Sequence, residues 1–249
     1  MKQILLAACI LMTISAKTYA VRPFITDDGV VTGRRVFQWE GWAYFDKYSS
    51  EQWNQFTFGI TDRWEVALGG VWGYARPQPR QSEFSYATPL IETKILLNGY
   101  IPGKQPGIAI AIGTALPSGK GEFVPSGHNA YGFLAVTHVF DANENFTLHG
   151  NIGLNYLNTG YKDKYLSYWG LGAQVRTYRG LHLVGEVISG DPYAPGSGLG
   201  FQAGVRYFIS DNCQMDAEIG RGLSGAEKMP FWFGCGIRFV TAAFDRKKR

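Results

Sequence analysis

Polar and apolar positions alternate with period two through most of residues 201–240. Gln214, Asp216 and Glu218 interleave with Cys213, Met215, Ala217 and Ile219. On either side, Phe201, Ala203, Val205 and Tyr207 interleave with Gln202, Gly204 and Arg206, and Phe231, Phe233, Cys235, Ile237 and Phe239 with Trp232, Gly234, Gly236 and Arg238. Successive side chains of a strand point to opposite faces, so each run predicts a strand with one polar and one apolar face. An apolar sheet face needs a cover, and no amphipathic helix follows residue 20 to supply one. Lipid is the expected cover.

The same alternation runs back along the chain. It predicts strands over residues 37–45, 53–60, 64–74, 90–98, 108–116, 130–140, 146–157, 168–178 and 182–188, ahead of the three in 201–240. In the seventh, Thr147, His149, Asn151, Gly153 and Asn155 share one face, and Phe146, Leu148, Ile152, Leu154 and Tyr156 the other. The connections alternate too: those after odd-numbered strands are generally longer and rich in Gly, Pro and Lys, whereas most after even strands are tight and contain Asp or Asn. An even number of antiparallel strands with short turns at one end and long loops at the other is the pattern of an outer-membrane barrel, and closure removes the edges that lipid would not tolerate. The expected fold is therefore all-β, a closed antiparallel up-and-down transmembrane β-barrel of about 12 strands, with ten or fourteen as the alternatives. A barrel of that size has a narrow, partly plugged lumen. Aromatics near predicted strand ends (Trp39, Trp53, Trp64, Trp72, Tyr156, Trp169, Tyr178, Tyr207 and Trp232) are candidates for interfacial girdles.

Composition adds a compartment. Residues 1–20 read as a secretory signal peptide, with Lys2 before an apolar core and Thr18, Tyr19 and Ala20 at the cleavage site. The expected mature chain, residues 21–249, is one barrel domain preceded by a periplasmic segment, residues 21–35. Removing Lys2 and Lys17 from the formal net charge of +4 leaves +2, and apart from the tail at residues 246–249 the basic positions are scattered. Nucleic acid is not an expected partner. Cys213 and Cys235 both fall on an apolar face, as inert thiols or as a disulfide.

Several segments carry a resemblance: RPFITDDG, QWEGWAYFD, FGITDRWEVALGG, TALPSGKG, HGNIGLNY and VRYFISDNCQMDAEIGRGLSG. Through them the chain resembles a family of outer-membrane β-barrels named as transporters for the meta-pathway of phenol degradation. Thr26, Asp27 and Asp28, the Gly-Ile-Thr-Asp-Arg turn at 59–63 and the closing Asp216, Gly220, Arg221, Gly222 pattern are the better signatures. The resemblance implies passage of small solutes, hydrophobic or aromatic ones among them, across the outer membrane of a Gram-negative cell. The chain departs from barrels that end on a terminal aromatic, leaving Phe239 or Phe244 for that part. Lipid, lipopolysaccharide, the barrel-assembly machinery and a small-molecule solute are the expected partners.

Candidate chemistry lies on the inward faces. Counting from the tight turn at residues 210–212 sets Arg206 against Asp216. Continuing across the next connection sets Asp216 against Arg238, with Glu40 within about a pair of Arg238. Glu40, Arg206, Asp216 and Arg238 thus form a candidate lumen belt, a constriction or a structural charge network. Further lumen-facing polar positions are His149, Asn151, Asn155, Gln174, Arg176, Gln202, Gln214 and Glu218. The family motif Thr26, Asp27 and Asp28 is expected at the periplasmic mouth or capping it. Its carboxylate pair lacks the spacing of a calcium loop, and no metal, cofactor or catalytic group is expected. Two alternatives to a channel stay open: a structural or adhesion barrel acting through its loops, and an outer-membrane lipid hydrolase, disfavoured because His149 has no serine two residues on.

Overall fold

The computed structural model describes residues 22–76, 82–158, 160, 162–225 and 228–241. The expected signal peptide, Phe244 and the basic tail fall outside them. Thirteen strands follow in order: β1 (Phe37–Asp46), β2 (Ser49–Thr61), β3 (Trp64–Ala75), β4 (Glu83–Asn98), β5 (Gly107–Ala115), β6 (Gly119–Lys120), β7 (His128–Val139), β8 (Phe146–Asn158), β9 (Asp163–Tyr178), β10 (Leu181–Ser189), β11 (Leu199–Ser210), β12 (Cys213–Gly222) and β13 (Phe231–Val240). Each long strand pairs antiparallel with its neighbours, β1 pairs with β13, and the β3–β4 pairing completes the ring. The two-residue β6 only extends the edge of β4 at Tyr86 and Ala87. Setting it aside leaves a closed barrel of twelve strands.

Alternation decides what each wall presents. Outward positions expose large apolar side chains, among them Ile152 at 65%, Leu154 at 60% and Leu171 at 56%, whereas the inward Gln214, Gln202 and Thr147 are buried. Polar groups inside and apolar groups outside reverse the arrangement of a water-soluble sandwich and fit a wall solvated by lipid. The girdle aromatics divide. Trp64, Trp72, Trp169, Tyr178 and Tyr207 stand exposed on the outside, but Trp53 lines the interior and Trp232 is buried there. Both share parity with inward positions of their strands, and parity rather than residue type fixes the direction.

Three boundaries differ from the sequence expectation. β4 begins at Glu83, with Ser85 buried and Phe84 and Tyr86 exposed, so the stretch that looked like loop is already alternating strand. Its pairing with β3 shifts register between Gly69 and Val71, and its Pro89 obscures the pattern. β2 and β9 likewise start earlier, at Ser49 and Asp163. Cys213 and Cys235 are free thiols; Cys213 stands opposite Phe239 and Cys235 opposite Ala217, four pairs apart on adjoining strands, which is on the order of 13 Å along the strand.

Candidate functional site: a narrowed lumen

The chain ahead of β1 threads into the barrel. Arg22 Nη2 lies 3.1 Å from both Asp216 Oδ1 and Glu218 Oε1 on β12, and its Nη1 donates to Tyr44 Oη on β1 at 3.1 Å. The Arg22 carbonyl accepts from Gln214 Nε2 at 2.9 Å and from Arg206 Nη2, and the Pro23 carbonyl from Gln202 Nε2 at 2.6 Å. Glu186 on β10 then accepts from Ile25 N at 2.6 Å and Thr26 N at 2.9 Å. With its amide oriented to suit its neighbours, Asn151 on β8 brackets Asp27, accepting from its N–H at 2.7 Å and donating to its carbonyl at 2.8 Å. Gly29 N donates to Thr137 Oγ1 at 2.9 Å, and that hydroxyl also bonds His149 Nδ1 at 2.9 Å. An irregular segment cannot pair its backbone with itself, so these side chains supply what a ladder would.

Lys94 on β4 is the second anchor. Its Nζ lies 3.0 Å from Asp27 Oδ1, 3.3 Å from Asp28 Oδ1 and 3.5 Å from Glu65 Oε1, with its side chain 5% exposed. Two glycines give the segment room, one in the wall and one in the segment itself. A Cβ on Gly170 would come within 2.2 Å of Thr26 Oγ1, and one on Gly29 within 2.4 Å of the Gly107 carbonyl. Phe24 packs its ring against His149, centroids 5.2 Å apart, under the Arg206 guanidinium at 5.3 Å.

The motif Thr26, Asp27 and Asp28 therefore lies within the lumen, where Thr26 and Asp28 are buried, rather than at its mouth. Glu40 and Arg238 face each other across the β1–β13 pair, and Arg206 faces Asp216 across β11–β12. The alignment of Asp216 with Arg238 needs correction: Asp216 opposes Gly236, and Gln214 opposes Arg238. The bond from Gly222 N to the Met229 carbonyl closes the intervening connection two residues away from the expected register. A slip of two keeps every residue on its face, so all four remain lumenal. Arg238 donates through Nε and Nη2 to Gln38 Oε1 at 3.0 and 2.9 Å, and Arg206 Nη1 to Gln174 Oε1. Asn155 is buried, its Nδ2 donating to the Pro192 carbonyl at 3.1 Å. Arg176 has the inward parity but stands beyond the end of the lumen, exposed, with its Nη1 on the Asn143 carbonyl at 3.3 Å. It belongs to the short-turn rim because its strand has by then outrun the barrel interior.

Lys94, Glu65, Glu92 and Glu186 were missed as site residues. Their signal was present in the same alternation: each is a charge at an inward position of a strand, as in Ile91, Glu92, Thr93, Lys94, Ile95, where Ile91 and Ile95 face outward.

From the opposite end, the β10–β11 loop folds inward. The Pro192 carbonyl also accepts from Asn129 Nδ2 at 3.1 Å, and Tyr193 Oη lies 3.4 Å from Glu92 Oε2. Burial raises the Asp191 carboxyl to about 6, against the pull of the Tyr193 and Ala194 N–H donors, with Glu51 adding to the rise. A carboxyl raised in the folded loop contributes its stability below the ordinary carboxylate range, and that contribution is lost as pH rises through about 6. The inward loop should thus lose stability progressively between about pH 4 and 6. Single-channel current should rise over that window, and Asp191→Asn should flatten the step; an identical step in the variant would assign it to another group.

Between segment and loop a cavity of about 320 Å³ runs along β1 to β4 and β13. Trp42 and Trp53 stack on its wall with centroids 5.7 Å apart and planes 3° apart, and Tyr193 meets Trp53 at 6.2 Å. Phe24, Tyr44, Phe133 and Trp232 complete the aromatic lining.

A family model described as "Putative MetA-pathway of phenol degradation" matches residues 20–234. No curated protein matches the chain. Among solved structures, the COG4313 outer membrane channel from Pseudomonas putida F1 is similar, with 9% identity, TM-score 0.56, and coverage of 90% of this chain and 99% of that one. The KdgM porin (9% identity, TM-score 0.53, 81% and 98% covered) and the NanC porin (8%, 0.52, 82% and 98%) share the fold as well. At such identities the likeness is one of architecture.

Proposed function

The chain belongs to the family matched over residues 20–234, and from that membership we propose that it is a passive outer-membrane channel for small solutes with hydrophobic or aromatic bodies. The observation that carries the reading is the aromatic-walled cavity inside a closed barrel, beside a segment that narrows the lumen without filling it. The apolar exterior supports the membrane placement, and the short-turn end, where β1 begins, would face the periplasm. The similarity to a channel and two porins agrees with this reading. Passage through such a channel follows the solute's gradient. The belt of Glu40, Arg206, Asp216 and Arg238 holds the entering segment as much as it screens solutes. Arg206 carries the Arg22 carbonyl, and Asp216 carries the Arg22 guanidinium.

The test is flux. Liposomes containing the folded, heat-modifiable protein should swell in arabinose faster than protein-free liposomes. Folded protein that gives no swelling would overturn the channel and favour a barrel acting through its loops, and release of fatty acid from the liposome lipid would favour a hydrolase.

A further inference from the structure

We infer that the cavity is a binding subsite for an organic cation, a solute with an amine or quaternary ammonium on an apolar or aromatic body. This rests on reading the lumen as a solute path and adds the charge of what takes it. The two cations bordering the cavity are already engaged: Arg22 by Asp216 and Glu218, Lys94 by Asp27, Asp28 and Glu65. The remaining carboxylates on the long-loop side are held only by neutral donors. Glu51 accepts from Ser49 Oγ at 2.8 Å and Trp53 Nε1 at 2.9 Å, and Glu92 accepts from Tyr131 Oη at 2.9 Å. Asp46 accepts from Ser49 N at 2.7 Å, and Asp191 from Tyr193 N at 2.7 Å. Lys94 offsets part of the charge of Glu92, two residues along β4, but Asp46, Glu51 and Asp191 have no ion-pair partner among the described residues, so this half of the cavity carries a net negative field in a confined, aromatic-walled space.

A second observation points to a ligand. Glu40 lines the same cavity at 5% exposure; Arg238 faces it across the β1–β13 pair, but Glu40 Oε1 has no hydrogen-bond partner among the described residues. The aromatic wall supplies the other half of cation recognition, and the protein uses it this way itself: the Arg22 guanidinium stands 4.8 Å from the Trp42 centroid and 5.5 Å from that of Tyr44. Trp53, angled against Tyr193 and hydrogen-bonded through its indole N–H to Glu51, offers an equivalent site one register pair across. An anionic solute of the same shape would meet Glu51 and Glu92 while Arg22 and Lys94, the cations of the lining, are already engaged by other carboxylates.

The experiment uses purified full-length barrel and three probes of matched size: benzyltrimethylammonium, benzyl alcohol and benzoate. Quenching of tryptophan fluorescence and block of the open-channel current are both read. Benzyltrimethylammonium should bind saturably at concentrations at least about tenfold below benzyl alcohol, and benzoate should not bind. Glu51→Gln and Glu92→Gln, each shape-preserving, should weaken the ammonium several-fold and together bring it to the level of the alcohol, with heat-modifiability confirming that both variants fold. Binding of benzoate or the alcohol as tight as the ammonium, or ammonium binding that survives the double substitution, overturns the inference while current through the barrel leaves the channel reading intact. Absence of any current with folded protein is instead the failure of the channel reading.

Discussion

Lys94→Met should lower the stability of the folded barrel by about 3–5 kcal/mol, the usual cost of removing one partner from a buried charge cluster. The reason lies in what the ammonium holds. Asp27, Asp28 and Glu65 all lie within 3.5 Å of Nζ, and three carboxylates without it repel one another in a site from which water is largely excluded. The temperature at which the protein loses its compact, fast-migrating form on gels should fall markedly. Adding Asp27→Asn to Lys94→Met should restore part of that loss, by about 0.5–3 kcal/mol of coupling, because the second change removes one of the stranded charges. Equal melting of Lys94→Met and the parent would mean that the cluster contributes nothing to the fold.

Gly170→Val should unseat the N-terminal segment while sparing the wall. A β-branched residue suits a strand, and on the wall side the new Cβ would meet only Ile188 Cγ2 of β10, at an ordinary contact distance of 3.5 Å. Its Cβ, however, would fall 2.2 Å from Thr26 Oγ1 and 3.3 Å from Thr26 Cβ; rotation about χ1 moves the hydroxyl but not that Cβ, which the valine methyls would meet while the Thr26 N–H stays on Glu186 at 2.9 Å. The segment must shift as a unit, releasing the Ile25, Thr26 and Asp27 backbone bonds together. Protease added to the folded variant should clip the N-terminus at a rate at least about tenfold above the parent, consistent with a local opening made more favourable by more than about 1.4 kcal/mol. Unchanged clipping with the same folded gel mobility would contradict the tight fit at Thr26.

How much of this was legible depends on range. Strand direction follows from neighbours two residues apart, so the inward parity of Gln214, Asp216 and Glu218 and the outward parity of Ile152 and Leu154 could be read directly. Register across a tight turn was legible too, as for Arg206 and Asp216. It failed across the β12–β13 connection, where loop closure and not local pattern sets the pairing. Trp53 and Trp232 showed the inward parity, and residue type was allowed to outweigh it. The N-terminal segment was beyond reach for a different reason. Residues 22–30 carry no period, and Arg22 meets Glu218 across 196 positions of sequence, a contact that only the closed barrel brings about. Their unusual density of turn-forming and charged residues marked them as worth noting without saying where they went.

That segment and the space beside it decide whether the molecule conducts, and single-channel recording in planar bilayers measures this most directly. The parent should open to small, resolved currents, and a variant with residues 22–30 replaced by a glycine-serine stretch of equal length should conduct several-fold more, since the anchored bulk of Arg22, Phe24 and Ile25 is gone from the lumen. Currents of the same size in parent and variant, with both barrels folded, would show that the segment does not occupy the conducting path and would contradict the account.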